Sequence, residues 1–185
     1  MNLEIKAGAL LNSRYRVLCE IQRGGTAIVL RAKDETGSHG LVALKCMSVN
    51  THEAVPMRVV EAEIAFCSSV KSPSFVKLYD LFNHGHMLVI VMELVDGPDL
   101  LDLLNSKGGS ISEPEALFYV HQLAQAAEIM HQHGFAHRDI KPENSVLILS
   151  THQLKMIDFG EYRIDSLSSL LLNITLFSDH SLRTC

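Results

Sequence analysis

Several features that would place the chain in a special class are scarce or missing from its 185 residues. Its four cysteines are scattered, with no CxxC pair and no zinc-ligand spacing, which favours a reducing compartment. Basic residues do not dominate, because 16 Lys and Arg stand against 21 Asp and Glu, for a formal net charge of -5. The sequence therefore excludes a strongly basic nucleic-acid-binding protein as the default interpretation, and no nucleic-acid partner is expected.

The sequence also has no long apolar run. No stretch approaches the roughly 18 consecutive apolar residues of a membrane helix, and the N-terminus lacks the basic and apolar regions of a signal peptide. We therefore expect no membrane span and an intracellular, cytoplasmic location, with a nuclear one left open. The composition itself, 47% hydrophobic and 20% charged, is typical of a globular protein with a real core.

The chain changes from a β-rich pattern to a helical one near Gly97-Pro98. Short β-branched runs between glycine-containing turns predict strands at residues 15–21, 27–33, 41–47, 75–82 and 87–92. Apolar spacing predicts a helix at about residues 55–70. Beyond Gly97, a short Leu-rich helix precedes a capping box at Ser112 and an apolar stripe from Leu117 to Met130. Two short strands are predicted last, at residues 146–149 and 154–157.

Three features of the first half are weak individually and more informative together. A glycine turn at Gly24 lets backbone N–H groups approach a phosphate, although an ordinary hairpin turn accounts for it equally well. Lys45 lies inside an apolar strand, where a lysine on a solvated face is the common arrangement. Glu63 lies on the apolar stripe of the predicted helix, either as an edge residue or as the partner of a buried cation. Lys45 is the obvious candidate for that cation.

The most informative segment is HRDIKPEN at residues 137–144, followed after two predicted strands by Asp158-Phe159-Gly160. Two acids and an amide in loops around a short hairpin supply one base and two oxygen ligands for Mg²⁺. The ordered set of glycine turn, VALK at residues 42–45, helix glutamate and these two motifs resembles the eukaryotic protein kinases of the serine/threonine type. The resemblance extends from about Tyr15 to Gly160.

The resemblance implies an α+β fold of two lobes, with a complete β-rich N-lobe and the incomplete start of a helical C-lobe. It divides the chain into an N-terminal extension (residues 1–14), the N-lobe (15–92), a hinge (93–97), a partial C-lobe through the catalytic loop and DFG (98–160) and a divergent tail (161–185). The function it implies is an ATP-dependent kinase that transfers the γ-phosphoryl group to a protein Ser or Thr hydroxyl, with ATP and Mg²⁺ as cofactors.

The same resemblance implies roles for individual residues. Asp139 is expected to be the catalytic base, Lys141 to steady the transferring phosphoryl group, and Lys45 to contact the α- and β-phosphates. Glu63 would orient Lys45. Mg²⁺ would be held by Asn144 and Asp158. Within the nucleotide site, Met92 would be the gatekeeper and Asp99 would reach the ribose; the full set expected to bind ATP is Ile21, Gly24, Val29, Ala43, Lys45, Met92, Glu93, Val95, Asp99 and Val146.

The sequence departs from the family pattern in three places. The three glycine positions of the phosphate loop are Gln22, Gly24 and Ala27, and Ser145 replaces the usual aliphatic residue after KPEN. Residues 161–185 contain no APE-like motif, and residues 166–178 are uncharged and Leu-rich. An alternative is therefore a truncated, catalytically impaired fragment that binds nucleotide or titrates a partner. We also expect an apolar face on the Leu117–Met130 helix that a partner, or the tail itself, would cover.

Overall fold

The computed structural model describes residues 4–25, 27–48, 57–158 and 163–164, apart from the side chains of residues 58, 59, 163 and 164. The chain divides into two compact units. The first unit contains the residues up to Val60 together with Val76–Asp96. The second contains Glu61–Phe75 and the residues from Gly97 onwards. Helices and antiparallel sheets are both present, as the predicted α+β class requires.

The first unit is built on one antiparallel sheet of six strands. In spatial order they are β1 (Leu10–Leu11), β2 (Tyr15–Arg23), β3 (Ala27–Asp34), β4 (Leu41–Ser48), β6 (Met87–Glu93) and β5 (Leu78–His84). In β3, Ile28, Leu30 and Ala32 alternate with more exposed residues and point into the core, the period-2 pattern of a half-buried strand. Strands β4 and β6 are buried at nearly every position, so they form the centre of the unit.

Residues assigned from the sequence to an N-terminal extension take part in this sheet. Strand β1 pairs with β2, and Leu11 is only 2% exposed within the core. Arg14 donates two hydrogen bonds, of 2.9 and 2.8 Å, to the carboxylate of Asp34, whose side chain is fully buried. The hydroxyl of Tyr15 donates to Asp80 at 2.8 Å. These contacts attach the start of the chain to the last residue of β3 and to the first half of β5.

The second unit contains most of the helical residues and a short hairpin. Its helices are α1 (Met57–Ser69, from Glu61 on), α2 (Leu100–Ser106) and α3 (Glu113–Gln132). Ser112 caps α3 by accepting a hydrogen bond from the Glu115 N–H at 3.4 Å, which confirms the predicted N-cap. The remaining elements are β7 (Phe135–Ala136), a 3₁₀ helix (Pro142–Asn144), β8 (Ser145–Ile148), β9 (Gln153–Met156) and β10 (Arg163–Ile164), which pairs with β7.

Strands β8 and β9 form an antiparallel hairpin whose outer edges bond to other parts of the second unit. On one edge, the N–H of Leu147 donates to the carbonyl of Pro98 at 2.9 Å. On the other, the N–H of Met156 donates to the carbonyl of Ser74 at 2.9 Å. Gly97 lies so close to β8 that an added Cβ would be 1.9 Å from the Leu147 carbonyl oxygen. The hairpin is therefore fixed by backbone bonds on both sides.

One predicted strand begins later than expected. The sequence predicted a strand from Phe75, but β5 begins at Leu78. Phe75 instead forms an isolated parallel bridge with Met156, and its ring meets that of Phe66 edge-on at 4.9 Å between centroids. The apolar run is thus shared between the two units, because its first residue belongs to the second unit and its remainder to the first.

Helix α3 buries the C-terminal part of its predicted apolar stripe, at Met130, but not the N-terminal part. Tyr119, Ala126 and Met130 are buried, whereas Leu117 and Val120 are 61% and 58% exposed. The exposed positions leave an apolar surface on the helix, as expected from the sequence. None of the helices in the described ranges is long and apolar enough to cross a membrane.

Candidate active site

The loop between β7 and β8 brings Asp139, Lys141 and Asn144 into direct contact. Lys141 Nζ donates to Asp139 Oδ2 at 2.7 Å. The side-chain amide of Asn144 donates to the same Oδ2 at 3.1 Å and to the Asp139 carbonyl at 3.0 Å. Both side-chain contacts fall on one oxygen, so Asp139 Oδ1 receives no hydrogen bond from the described part of the chain. The site thus presents a carboxylate oxygen next to a lysine.

The backbone of this loop is shaped by two neighbours of Asp139. Arg138 has a φ of 60°, in the left-handed region, which costs an arginine roughly 1–2 kcal/mol. His137 is 3% exposed, and its Nδ1 accepts the N–H of Asp139 at 3.2 Å. The buried imidazole therefore stabilises the sharp turn that directs the carboxylate of Asp139 outwards, where its side chain is 44% exposed.

Charge at the loop is fixed by these same contacts. The hydrogen bond from Lys141, with a further one from Asn144, lowers the pKa of Asp139, and Asp139 in turn raises the pKa of Lys141. Both groups are therefore ionised at neutral pH. Burial lowers the pKa of His137, opposed by hydrogen bonding to the backbone of Asp158 and by nearby carboxylates. His137 is thus neutral at pH 7, consistent with an Nδ1 that accepts a hydrogen bond.

The hairpin brings the two predicted metal ligands to the same end. Asn144 directly precedes β8, Asp158 follows β9, and the N–H of Ile157 donates to the Asn144 carbonyl at 3.1 Å. Because the amide nitrogen of Asn144 faces Asp139, its Oδ1 is the atom that a cation would contact. A carboxylate and an amide oxygen are hard ligands that fit Mg²⁺. No group of three or more His, Cys, Asp or Glu side chains suited to a metal occurs among the described residues, and Mg²⁺ needs none, since it keeps water and phosphate oxygens as ligands.

In the first unit, four of the predicted nucleotide-binding residues share one face of the sheet. Val29 of β3 is paired with Lys45 of β4, and Ala43 of β4 is paired with Met92 of β6. Lys45 and Ala43 are two residues apart, so their side chains point to the same side, and directly paired residues do so as well. Ala43 and Met92 are buried, and Lys45 is half-buried. The four residues therefore combine apolar side chains with the cation of Lys45, and Arg31, paired with Ala43, adds a second cation to the same face.

The phosphate-loop candidates lie in a tight turn between β2 and β3. Ile21, near the end of β2, is 50% exposed. The N–H of Gly24 donates to the Ala27 carbonyl at 2.9 Å, which closes the turn. The φ of Gly24 is not left-handed and an added Cβ would make only an ordinary contact, so this position does not depend on glycine.

The segment that follows β6 carries the next candidates. The N–H of Glu93 donates to the Lys77 carbonyl at 2.9 Å, so a hydrogen bond between Glu93 and adenine would use the Glu93 carbonyl as the acceptor. Val95 is half-buried two residues later. In the second unit, Asp99 caps α2 by accepting the Asp102 N–H at 2.7 Å through Oδ1, which leaves Oδ2 for a ribose hydroxyl. Val146, 7% exposed, forms an isolated bridge with Asp99.

Lys45 and Glu63 lie in different units, so the ion pair predicted between them stays a prediction. Glu63 is buried on α1, 4% exposed. Phe159 and Gly160 of the DFG motif lie outside the described residues, as does the predicted divergent tail except for β10.

Sequence reasoning missed two residues that hold the hairpin. Gly97 is required by its close approach to Leu147. Gln122 of α3 accepts the N–H of Leu154 at 2.9 Å through Oε1 and donates through Nε2 to the carbonyl of His152 at 3.1 Å. Neither has a local sequence signal, because the partners are backbone groups about 30 or more residues away.

Comparison with known proteins identifies the family. The family model described as a protein kinase domain matches residues 15–169. The chain belongs to the protein kinase superfamily. The match confirms the predicted kinase fold, and it ends beyond the Gly160 at which the sequence motifs stop.

The chain is similar to several curated serine/threonine kinases. The probable serine/threonine-protein kinase PknB of Lactococcus lactis is 32% identical over 174 residues, covering 94% of this chain and 27% of that protein. Human calcium/calmodulin-dependent protein kinase type IV is 33% identical over 156 residues, covering 83% of this chain and 32% of that protein. The serine/threonine-protein kinase cds1 of Schizosaccharomyces pombe is 34% identical, with 80% and 33% covered. The chain thus spans about a third of the length of these relatives, or less.

Proposed function

We propose that the chain carries the nucleotide site and the phosphoryl-transfer loop of an ATP-dependent serine/threonine protein kinase. The observation that supports this most directly is the contact of Asp139 with both Lys141 and Asn144, at the end of a hairpin that also leads to Asp158. The similarity to named serine/threonine kinases over 80–94% of the chain supports the same assignment. The proposed substrate is a Ser or Thr hydroxyl of a protein.

Within this proposal, each residue of the loop has one task. Asp139 orients the substrate hydroxyl and accepts its proton through Oδ1, and Lys141 neutralises charge on the transferring phosphoryl group. Asn144 and Asp158 hold Mg²⁺, which when bound offsets phosphate charge and orients the nucleotide. A carboxylate of lowered pKa is a weak base, so its main contribution is positioning.

The sheet face of the first unit is proposed to receive the nucleotide. Val29, Ala43 and Val146 would contact the adenine ring, with Met92 as gatekeeper and the carbonyl of Glu93 as its hydrogen-bond partner. Ile21, Gly24, Val95 and Asp99 complete the proposed ATP contacts. Lys45 would bind the α- and β-phosphates and pair with Glu63 in the ATP-competent state. Double-mutant cycles on ATP affinity with Lys45→Met and Glu63→Gln test that pair, and additive losses would contradict it.

An intracellular location is proposed from the thiols. Cys19 and Cys46 are free thiols in the described structure, and Cys46 is buried. Free thiols are typical of reducing compartments.

The experiment that tests the proposal measures transfer of the labelled γ-phosphate of ATP to a generic basic protein in the presence of Mg²⁺. We expect transfer by the wild-type chain and at least 100-fold less transfer by Asp139→Asn. Asp102→Asn, the same substitution at an exposed position of α2, should leave transfer unchanged. ATP binding without transfer would favour the fragment alternative, in which the chain binds nucleotide or titrates a partner. Equal transfer by Asp139→Asn would contradict the proposed base.

A further inference from the structure

The edge of β9 that faces away from β8 has two backbone donors, the N–H groups of Leu154 and Met156. Different groups accept their hydrogen bonds. The N–H of Met156 donates to the Ser74 carbonyl, as in an ordinary sheet. The N–H of Leu154, two residues earlier on the same edge, has no strand of the described ranges beside it and donates to a side chain instead, Oε1 of Gln122 at 2.9 Å. Leu154 is 3% exposed, so water does not easily replace this acceptor.

The side-chain amide of Gln122 is bonded as one residue of a parallel third strand would be. It accepts the Leu154 N–H and donates at 3.1 Å to the carbonyl of His152, two residues away on the same edge. In a parallel pair of strands, the N–H and the C=O of one residue bond in this way to two residues of the neighbouring strand. His152 also has a φ of 56°, so Gln122 contacts the strained residue of the hairpin turn as well.

The two ends of the hairpin are held by different means. At the open end, the Ile157 N–H bonds to the Asn144 carbonyl and the Met156 N–H bonds to the Ser74 carbonyl. Nearer the turn, Leu147 and Leu154 are paired, and Leu147 bonds to Pro98 on the β8 edge while Leu154 bonds to Gln122 on the β9 edge. Leu154 also packs in one apolar cluster with Tyr119 and Leu123 of α3. A shift of β9 against β8 would move Asp158, which follows β9, relative to Asn144, which precedes β8.

From this we infer that Gln122 is a positioning residue for the metal pair Asn144 and Asp158, acting through the β8–β9 hairpin. This inference rests on the proposed function, because it assumes that these two residues hold Mg²⁺ with a nucleotide. Groups that orient metal ligands from outside the coordination shell commonly change metal affinity by about 10-fold or more. Gln122 acts one step further away, so we expect a change of about three- to tenfold.

The test uses Gln122→Met, which keeps the length of the side chain and removes both hydrogen bonds. Gln125→Met is the matched control, because Gln125 lies on the same helix, is exposed and makes no hydrogen bond to the described residues. A Gln122→Glu variant keeps the acceptor for Leu154 but cannot donate to His152, and it serves if the Met variant fails to fold. The full chain is used throughout.

Two measurements separate positioning from a purely structural role. Hydrogen exchange of the Leu154 amide reports the contact itself, and titration of Mg²⁺ at fixed fluorescent ATP analogue reports the metal site. With Gln122→Met we expect faster Leu154 exchange and a three- to tenfold higher Mg²⁺ concentration for half-maximal nucleotide binding, with nucleotide affinity in EDTA unchanged. Gln125→Met should change neither.

Each of the other outcomes would contradict a different part of the proposal. Unchanged Leu154 exchange in Gln122→Met would show that the contact does not protect the hairpin. Faster exchange with an unchanged Mg²⁺ requirement would make Gln122 structural only. A wild-type chain that binds no ATP analogue in Mg²⁺ would overturn the proposed function and the positioning role with it, whatever the exchange result.

Discussion

At Ser145 the chain buries a hydroxyl group that has no hydrogen-bond partner among the described residues, in a side chain that is 0% exposed. A buried polar group without a partner destabilises the folded state by about 1–3 kcal/mol. We predict that Ser145→Ala raises the free energy of unfolding by about 1 kcal/mol, measured by urea denaturation. Ser69→Ala, which removes a hydroxyl that donates to the Ala65 carbonyl at 2.7 Å, should not raise it. A loss of stability in Ser145→Ala would mean that the hydroxyl is bonded.

Arg14 and Asp34 form a bidentate ion pair in the first unit, since two hydrogen bonds join them and Asp34 is fully buried. Asp34 also accepts bonds from Thr36 and from the N–H of His39. Removing one partner of such a pair leaves a buried charge, so Arg14→Met should destabilise the chain by about 3 kcal/mol. Arg16→Met, which breaks an exposed pair with Glu35, should cost less than about 1 kcal/mol.

The effect of Arg14→Met should also depend on pH. The hydrogen bond from Arg14 holds the pKa of Asp34 well below its usual range. The stabilisation by the charged carboxylate is therefore complete above the ordinary carboxyl pKa of about 4, and it is lost as the pH falls below that value. Urea denaturation at several pH values should show the gap between wild type and variant shrinking below pH 4. A constant gap would contradict this cause.

At the scale of an element, the position of β8 depends on one glycine. An added Cβ at Gly97 would lie 1.9 Å from the Leu147 carbonyl oxygen, so the backbone of β8 or of the preceding segment must move. We predict that Gly97→Ala lowers the free energy of unfolding by about 1–3 kcal/mol, as overpacking does, and weakens ATP binding. Gly25→Ala is the control for stability, because its added Cβ meets no atom within 4 Å. A Gly97→Ala chain as stable as wild type would contradict the close approach.

Most elements could be predicted from sequence because their signals are local. The β-branched runs predicted β2, β3, β4 and β6 to within about two residues, and the capping box predicted the start of α3. Strands β1, β7 and β10 were missed because two residues show no periodicity. The prediction that β5 begins at Phe75 was wrong for a different reason. Phe75 forms a bridge with Met156, which lies 81 positions later in the chain, and a local sequence pattern does not indicate such a partner.

The same distinction applies to the site. Asp139, Lys141 and Asn144 could be identified together because they lie within six residues of one motif. Gly97 and Gln122, which support the hairpin, could not be identified from the sequence. Each contacts backbone groups of the hairpin, and every sequence has the same backbone groups there. The lobe boundaries and the Lys45–Glu63 pair stay predictions.

At the scale of the whole molecule, the exposed face of α3 is the surface feature with the clearest consequence. Leu117, Phe118 and Val120 are 61%, 50% and 58% exposed, and Leu117 and Val120, three residues apart, lie on one face of the helix. Such surfaces promote association. We predict that Leu117→Lys with Val120→Lys reduces self-association in sedimentation velocity without loss of helix content, since lysine is a good helix former. Unchanged association would show that this face is not responsible. The predicted packing of the tail, residues 161–185, over this face falls outside the described residues, which include only 163 and 164 of the tail.

The proposed function requires that Asn144 and Asp158, which meet at the open end of the β8–β9 hairpin, hold Mg²⁺ with a nucleotide while Asp139 serves the substrate hydroxyl. Calorimetric titration of ATP into the chain, with Mg²⁺ and with EDTA, tests it most directly. We expect tighter binding with Mg²⁺ for the wild type and for Asp139→Asn, and loss of that Mg²⁺ enhancement for Asp158→Asn. An equal loss of nucleotide affinity in both variants would contradict it.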